Sequence, residues 1–446
     1  MKIIRNHSDI QAIFPEYFSG RTCQEIKLSK YTFFQKVSAD KFILFSFVTD
    51  AIMLLSRKEY ETILTMSFSG EELLFETLCK NGFFINKNID EYSLMVRQRR
   101  AIFSAVPKTL KVVILPTTGC NARCSYCIGV DNPIANMTYD TAQKAIEYIV
   151  ERAREYENIK FDWYGGEPLL RQELISFICD EVHRKLPHVN YASVITSNLV
   201  CFNDETLKQA IQSWHIQKIN ITIDGDEYEH NVRKNYLQSE FNGYKHTLDC
   251  IRSILDKQIK IFCRYNIDRN NTHQLSGVLE ELKPFFTDKN FYFFISPLRG
   301  DDCHEEFYHT DEYNDLFYKT GVILNKAGVH NVIDSFVPKF KNGFCLAKSE
   351  HSIVIGPDGA FYRCNLDDLV KSNTTGSVYS GLKKNDIYYQ LSCLELDVPC
   401  KECVYLPICQ GGCPVQKKNT SKSNCQCDKF KFKVEAIASL LAEYYI

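Results

Sequence analysis

Between residues 110 and 300 the chain alternates six times between a short apolar run and a longer amphipathic stretch. The runs at 111–115, 160–164, 192–196, 218–223, 259–266 and 291–296 are nearly continuously apolar, as buried strands are. Helical spacing of apolar residues fills 139–156, 172–185, 204–214, 243–257 and 272–286 between them. Parallel strands need such crossover helices, so the alternation predicts an α/β fold whose sheet is covered on both faces or curled into a partial (β/α)6 TIM-like barrel. Chemistry in these folds sits on loops that follow the strand C-termini.

Two units flank this core. Residues 1–105 carry strand-like runs at 31–37, 42–48 and 51–55, then helical patterns at 57–65 and 70–79. Asn81-Gly82 stops the second helix, a return strand is expected at 83–85, and a charged helix at 90–104 leads into the core. This order resembles a winged helix. Residues 106–300 form the core, 301–340 a helical connector, and 341–446 a unit rich in cysteine, glycine and lysine. Apolar runs in this last unit are short, so something other than a packed core must staple it.

Composition narrows the partners. Over 446 residues, 53 Lys and Arg against 55 Asp and Glu give a net charge of −2, which disfavours nucleic acid and anionic lipid. No apolar run approaches the ~18 residues of a membrane helix. The N-terminal segment lacks the apolar stretch of a secretory signal, so a reducing cytoplasm is expected. Nineteen cysteines, an odd number, cannot all be consumed in internal disulfides.

Three of them, Cys120, Cys124 and Cys127, stand as C-x3-C-x2-C directly after the first core strand. Three thiolates on one loop can converge on one metal centre. Structural zinc takes four protein ligands, and no Cys or His lies between Cys127 and Cys179 to complete a local site. A [4Fe–4S] cluster held by three cysteines leaves one iron open to another ligand.

With Tyr126 preceding the third cysteine, this loop resembles that of the radical S-adenosylmethionine (SAM) superfamily, the resemblance covering about residues 108–300. It implies that the open iron is chelated by SAM, which is cleaved to a 5′-deoxyadenosyl radical. Other strand ends carry matching segments. Gly165-Gly166-Glu167-Pro168 matches a GGEP motif whose glutamate approaches the methionine amino group; taken singly, Gly-Gly is a turn signal. Thr196-Ser197-Asn198 offers short polar groups for ribose or carboxylate, and equally reads as the approach to a helix. Thr222, Asp224 and Gly225, then His230 and Arg233, resemble S-x-D-G…H…R with threonine in place of serine. Arg264 and Asn266 resemble the R-x-N of peptide-modifying members, although an arginine on a barrel strand also suits a structural ion pair.

Near the C-terminus, Cys400, Cys403, Cys409 and Cys413 read C-x2-C-x5-C-x3-C, with Cys345 and Cys364 upstream and Cys425 and Cys427 downstream. About residues 340–435 resemble the SPASM domain of peptide-modifying radical enzymes, although C-x2-C pairs also occur in zinc ribbons. The resemblance implies two auxiliary [4Fe–4S] clusters, three in all. Cys345, Cys364 and Cys413 would hold the first, and Cys400, Cys403, Cys409 plus Cys425 or Cys427 the second. No cysteine lies between Cys345 and Cys364 to complete the first. It either keeps an open iron or takes Cys303, Cys393 or the unused member of the Cys425/Cys427 pair. Cys23, Cys79, Cys179, Cys201, Cys250 and Cys263 lie mostly on strand or helix patterns and read as small buried hydrophobes.

These resemblances imply a radical SAM oxidoreductase that matures a ribosomally made peptide by installing an intramolecular thioether or carbon–carbon cross-link. Its partners would be a precursor peptide whose leader pairs with a sheet edge of residues 1–105, and a low-potential electron donor of flavodoxin or ferredoxin type. One alternative is anaerobic sulfatase maturation to formylglycine, whose enzymes place an aspartate directly after the cysteine matching Cys364, where this chain has Asn365. Another is a non-catalytic zinc-binding adaptor. No catalytic base is assignable; Asp367 and Asp368 read as a solvated turn.

Overall fold

The computed structural model describes residues 1–5, 17, 25–130, 133–298, 307–309, 312–341, 343, 345–366, 369–419 and 428–445, excluding the side chains of 333, 334, 419 and 428–433. Cys23, Cys303, Asp367, Asp368, Cys425 and Cys427 lie outside the described residues.

The N-terminal unit contains β1 (Lys2–Arg5), β2 (Ile26–Leu28), β3 (Thr32–Lys36), β4 (Lys41–Ser46) and β5 (Ile52–Ser56), then α1 (Arg57–Thr65), α2 (Glu72–Lys80), β6 (Phe84–Asn86) and α3 (Glu91–Ser104). A capping box fixes the start of α1: Ser56 accepts from the Glu59 amide while Glu59 reaches back to the Ser56 amide. Asp90 caps α3 by accepting from the Tyr92 and Ser93 amides, and Asn81-Gly82 ends α2 with Gly82 at φ 70°. The main sheet runs β1-β5-β4-β3, and β3 is an edge strand. The return strand β6 pairs with β2 in a separate ribbon.

The core elements are β7 (Thr109–Ile114), α4 (Tyr139–Ala153), β8 (Asn158–Trp163), α5 (Gln172–Lys185), β9 (Asn190–Thr196), α6 (Asp204–Gln212), β10 (Ile216–Ile223), α7 (Glu227–Lys234), α8 (Gly243–Asp256), β11 (Lys260–Ile267), α9 (Leu275–Leu282) and β12 (Phe291–Pro297). Strands β7 to β12 are parallel neighbours in chain order. Their burial alternates. On β11, Ile261, Cys263, Tyr265 and Ile267 are buried, whereas Phe262 is half-buried and Arg264 exposed. The sheet is therefore curled but open, with helices packed on its convex face and a concave face accessible to ligands.

The rest comprises α10 (Tyr313–Lys326), α11 (Val332–Phe336), β13 (Ser352–Ile355), β14 (Phe361–Tyr362), β15 (Gly376–Ser377), β16 (Gly381–Leu382), α12 (Asp386–Ser392), α13 (Leu406–Cys409), α14 (Pro414–Asn419) and α15 (Asp428–Tyr445). The C-terminal segment is not separate from the core. Strand β13 pairs parallel to β7, and β14 pairs antiparallel to β13, extending the sheet to eight strands. The N-terminal unit rests on the same segment. Tyr31, Val48, Leu94 and Met95 share one apolar cluster with Cys400 and Leu406, and Phe47 lies 5.3 Å from Tyr405, ring to ring. Buried Arg99 of α3 donates to the Gln410 carbonyl at 2.8 Å, to Gln410 Oε1 at 2.7 Å and to the Leu394 carbonyl at 3.1 Å. No helix among the described residues is long and apolar enough to cross a membrane.

Candidate active site

All the strand-end segments singled out in the sequence emerge at one end of the curled sheet, because β7 to β10 are parallel and in close register. The loop after β7 is shaped by its own backbone. Gly119 N donates to Thr117 Oγ1 at 2.8 Å, and Cys127 N donates to the Cys124 carbonyl at 3.0 Å, closing the turn that joins two of the three cysteines. The end of α7 holds the loop from the side: Arg123 N donates to the carbonyls of Lys234 and Asn235 at 3.0 Å, and Ser125 N to that of Arg233 at 3.2 Å. Asn235 sits in the left-handed region at φ 45°, turning these carbonyls outward.

Cys120, Cys124 and Cys127 all line one cavity of about 140 Å³, together with Tyr164, Gly165, Gly166, Asn365 and Leu369. The two glycines cannot be replaced without collision. A Cβ on Gly165 would stand 2.3 Å from the Thr117 carbonyl oxygen, and one on Gly166 2.1 Å from that of Gly119. Their bare backbone lets the β8 loop lie against the cysteine loop. Burial pushes the Cys120 thiol up to about 11 and raises Cys124, so a metal bound there would displace their protons to solvent and hold the sulfurs as thiolates. Among the described residues no three His, Cys, Asp or Glu side chains form a single-ion site. The three thiols of the cavity suit a cluster, in which each sulfur meets its own iron, and the open remainder suits a ligand on a fourth iron.

Two polar networks flank the thiols. In the first, Glu167 is buried. Its Oε1 accepts from Ser197 Oγ at 2.9 Å and Leu169 N at 3.0 Å, and its Oε2 from Asn198 N at 2.8 Å. Glu167 thereby ties the β8 and β9 loops together. Burial lifts its carboxyl to about 7, against the pull of those donors. Asn198 donates to Asn121 Oδ1 at 2.7 Å and lies 3.6 Å from Cys120 Sγ, supporting the cysteine from behind. Pro168 opens the short turn after Glu167, and Thr196 Oγ1 accepts from Asn220 at 3.1 Å.

The second network is centred on buried Asp224, which accepts from Tyr126 OH at 2.6 Å and Asn266 Nδ2 at 2.7 Å. Lys234 completes it. Its ammonium is 3.1 Å from Asp224 Oδ2 and 3.2 Å from Tyr126 OH, and it also donates to Thr222 Oγ1. Burial works against the charges of both partners, yet their mutual attraction holds Asp224 below and Lys234 above their ordinary values. Four sequence candidates, Tyr126, Thr222, Asp224 and Asn266, are thus brought together by a lysine that sequence reasoning missed. Its position four residues after His230, on the same helical face, was the available signal. Arg233, the cation singled out in the sequence, points elsewhere: both its terminal nitrogens meet Asp268, at 2.7 and 2.8 Å, and its Nε meets Glu229. His230 is buried and, through burial and Lys234, drops to about 3, so it stays neutral. Arg264 is exposed on the concave face and has no ion-pair partner among the described residues.

In the C-terminal unit, Cys400, Cys403 and Cys409 lie on consecutive turns, Cys403 N reaching the Cys400 carbonyl at 3.3 Å and Cys409 N that of Tyr405 at 2.8 Å. Burial raises Cys400 and Cys403, and each is raised further by its neighbouring thiols. Cys364 packs against the small apolar cluster of Ala347, Leu391 and Val415, and Cys345 and Cys413 directly precede the elements that carry Ala347 and Val415. Cys79, Cys179, Cys250 and Cys263 are buried in helices and a strand, as expected of small hydrophobes. Cys201 is half-exposed and accepts from Asn121 at 3.3 Å.

Comparison with known proteins agrees with this geometry. Residues 114–274 match the Radical SAM superfamily. A cysteine-type anaerobic sulfatase-maturating enzyme of Clostridium novyi is 25% identical over 377 residues, covering 73% of this chain and 94% of that protein. Among solved structures, native anSMEcpe with bound AdoMet and Cp18Cys peptide gives a TM-score of 0.60 at 15% identity, over 76% of this chain and 98% of that one. Streptococcus suis SuiB bound to precursor peptide SuiA gives 0.51 at 15% identity, over 90% of this chain and all of that one. With the cysteine loop at the mouth of a curled parallel sheet, residues 114–274 form a radical SAM domain, and the chain that carries it is a radical SAM enzyme.

Proposed function

We propose that this enzyme modifies a ribosomally made precursor peptide, closing an intramolecular thioether or carbon–carbon cross-link. The observation that carries the proposal is the joint arrangement of three units: a thiol-lined cavity, a cysteine-rich unit continuous with its sheet, and an N-terminal unit packed onto that cysteine-rich unit. SuiB, similar over 90% of this chain, was solved with a precursor peptide. Strand β3 offers a sheet edge to which a leader peptide would add a strand through backbone hydrogen bonds. The winged-helix-like unit at 1–105 then serves recognition, 106–300 cleavage of SAM, 301–340 connection, and 341–446 two auxiliary clusters. Free thiols in this number suit a reducing cytoplasm.

When bound at Cys120, Cys124 and Cys127, the cluster and SAM supply a 5′-deoxyadenosyl radical that takes a hydrogen atom from the peptide. The chain's residues hold and orient. Asn198 and the α7 carbonyls fix the cysteine loop, Gly165 and Gly166 allow close backbone approach, and the Asp224–Lys234–Tyr126 network keeps one wall polar and rigid. Ring closure would release one proton to solvent and pass one further electron to an auxiliary cluster held in 341–446, and a low-potential donor of flavodoxin or ferredoxin type would prime each turnover.

The sulfatase-maturase reading is favoured by the Clostridium novyi relative. Against it, Asn365 lines the cavity beside the cysteines, and an amide cannot take up a proton as an aspartate there would. Co-expression with a short precursor encoded beside the gene, followed by mass spectrometry, tests the proposal. Loss of two hydrogens per ring is expected. A peptide in which a thiol has become an aldehyde would establish the alternative, and an unchanged peptide would refute both.

A further inference from the structure

The first auxiliary site has three obvious cysteines, and the packing of the C-terminal unit supplies a fourth. Helix α12 ends at Cys393, its C-cap. It packs against the short turn Leu346–Lys348, whose N-cap is Cys345, and against α14, which begins immediately after Cys413. These three elements meet in the apolar cluster of Ala347, Leu391 and Val415, and Cys364 packs against the same cluster. Four cysteines from four separate segments therefore border one small core.

Three details distinguish Cys393 from a packing residue. It is exposed, as Cys345 and Cys413 are, whereas Cys79, Cys179, Cys250 and Cys263 are buried. Its sulfur accepts from the amide two residues on, Glu395 N at 3.4 Å, and Cys364 accepts from Leu366 N at the same 3.4 Å. Amide donors of this kind stabilise a cluster-bound thiolate. Finally, the strap after Cys393 runs beside the loop that carries Cys413. A Cβ on Gly411 would stand 2.7 Å from Leu396, and Lys417 pairs with Asp397 at 2.5 Å.

We infer that Cys393 ligates the first auxiliary cluster, completing with Cys345, Cys364 and Cys413 a four-thiolate set. This rests on the proposed reading of residues 341–446 as an iron–sulfur unit. It has a functional consequence: a cluster with all four irons held by the chain has no corner for a substrate thiolate, so it serves electron transfer and not substrate capture.

Differential alkylation of the full-length wild-type protein tests this without any substitution. Cysteines are labelled anaerobically in the reconstituted protein and again after chelation, and each is read by peptide mass spectrometry. Cys393 should be protected together with Cys345, Cys364 and Cys413, and become reactive on chelation. Labelling of Cys393 in the reconstituted protein, with those three and Cys400, Cys403 and Cys409 protected, would overturn the inference alone. Labelling of all seven would overturn the iron–sulfur reading and the inference with it. As a second readout, Cys393→Ser should change the paramagnetic resonance of one cluster or lose its iron and sulfide, leaving SAM binding at the Cys120 loop intact. A full metal content with an unaltered spectrum would count against it.

Discussion

Gly166→Ala isolates the contact that seats the cysteine loop. The added Cβ would lie 2.1 Å from the Gly119 carbonyl oxygen and 2.5 Å from that of Thr118, both backbone atoms of the segment that delivers Cys120. Relief to about 3.0 Å, the least that real Cβ atoms show, needs a displacement of 3.0 − 2.1, or about 0.9 Å. Two hydrogen bonds span the same seam, Gly166 N to the Thr117 carbonyl at 3.1 Å and Glu167 N to the Gly119 carbonyl at 2.8 Å. Their loss together costs about 1–3 kcal/mol. A misplacement on the order of 1 Å in a site that must align reacting atoms lowers the rate by about 10²-fold. The assay is 5′-deoxyadenosine formation by anaerobically reconstituted protein, with iron content measured in parallel. Gly277→Ala is the control, since that Cβ meets nothing within 4 Å and a helical glycine to alanine change stabilises by up to about 1 kcal/mol. Wild-type cleavage by Gly166→Ala at full iron content would refute the argument that these loops are held by contact.

Lys234→Met removes the cation from a pair in which Asp224 is fully buried, leaving an uncompensated carboxylate with Tyr126 and Asn266 as its remaining donors. A loss of about 3–5 kcal/mol is expected in urea unfolding, and an unchanged midpoint would show that the pair does not matter to the fold. The pH dependence of stability has two opposing parts. Glu167, raised by burial to about 7 from 4.5, holds its proton more tightly folded than unfolded, so its contribution is fully present below pH 4.5 and is lost as pH rises to about 7. Going from 4.5 to about 7 corresponds to about 3 kcal/mol. His230, lowered to about 3 from 6.5, acts in the opposite sense, its contribution being present above pH 6.5 and lost as pH falls toward 3. Glu167→Gln should therefore gain stability relative to wild type between pH 4.5 and 7, by about 3 kcal/mol across the window; parallel profiles would refute the burial argument.

Much of this architecture was legible because two local signals agree at each core element. On α5 and β10, hydrophobic period and flanking loops point to the same boundaries, and the helix at 172–185 is found where its pattern places it. The separate pairing of β6 with β2 was not legible, since three residues carry no register information. Nor was the pairing of β13 with β7, whose partners are more than two hundred residues apart in the chain. At the site, residue types were readable but directions were not. Arg233 and Lys234 are adjacent cations on one helix, about 100° apart in direction, and only the packed fold decides that the second faces Tyr126 while the first meets Asp268. Asn365 stood out in the sequence only by its place after Cys364; that it lines the cavity follows from the fold, in which the β13–β14 hairpin sits beside β7.

That hairpin changes what the cysteine-rich unit is for. An appended electron carrier would need only to lie near the cavity, joined by a linker. Here Ile114, which leads into the cysteine loop, is register partner to Ile355, which leads into the turn before Cys364. Parallel pairing sends the β13–β14 turn out at the same end of the sheet as the cysteine loop; Asn365 follows β14, which runs back antiparallel, and its segment lines the cavity together with Cys127. The ladder also covers the edge of β7, whose unpaired amides and carbonyls would otherwise be exposed. On its far side the unit supports the N-terminal sheet through Tyr405 and through the carbonyls that receive Arg99. The β3 edge proposed for the peptide and the Cys400 region proposed for a cluster therefore share a set of buried contacts, and removing either unit would uncover apolar surface on the other. Truncation is consequently a poor way to separate recognition from chemistry in this chain; substitutions confined to the solvent face of β3 separate them without disturbing the shared core.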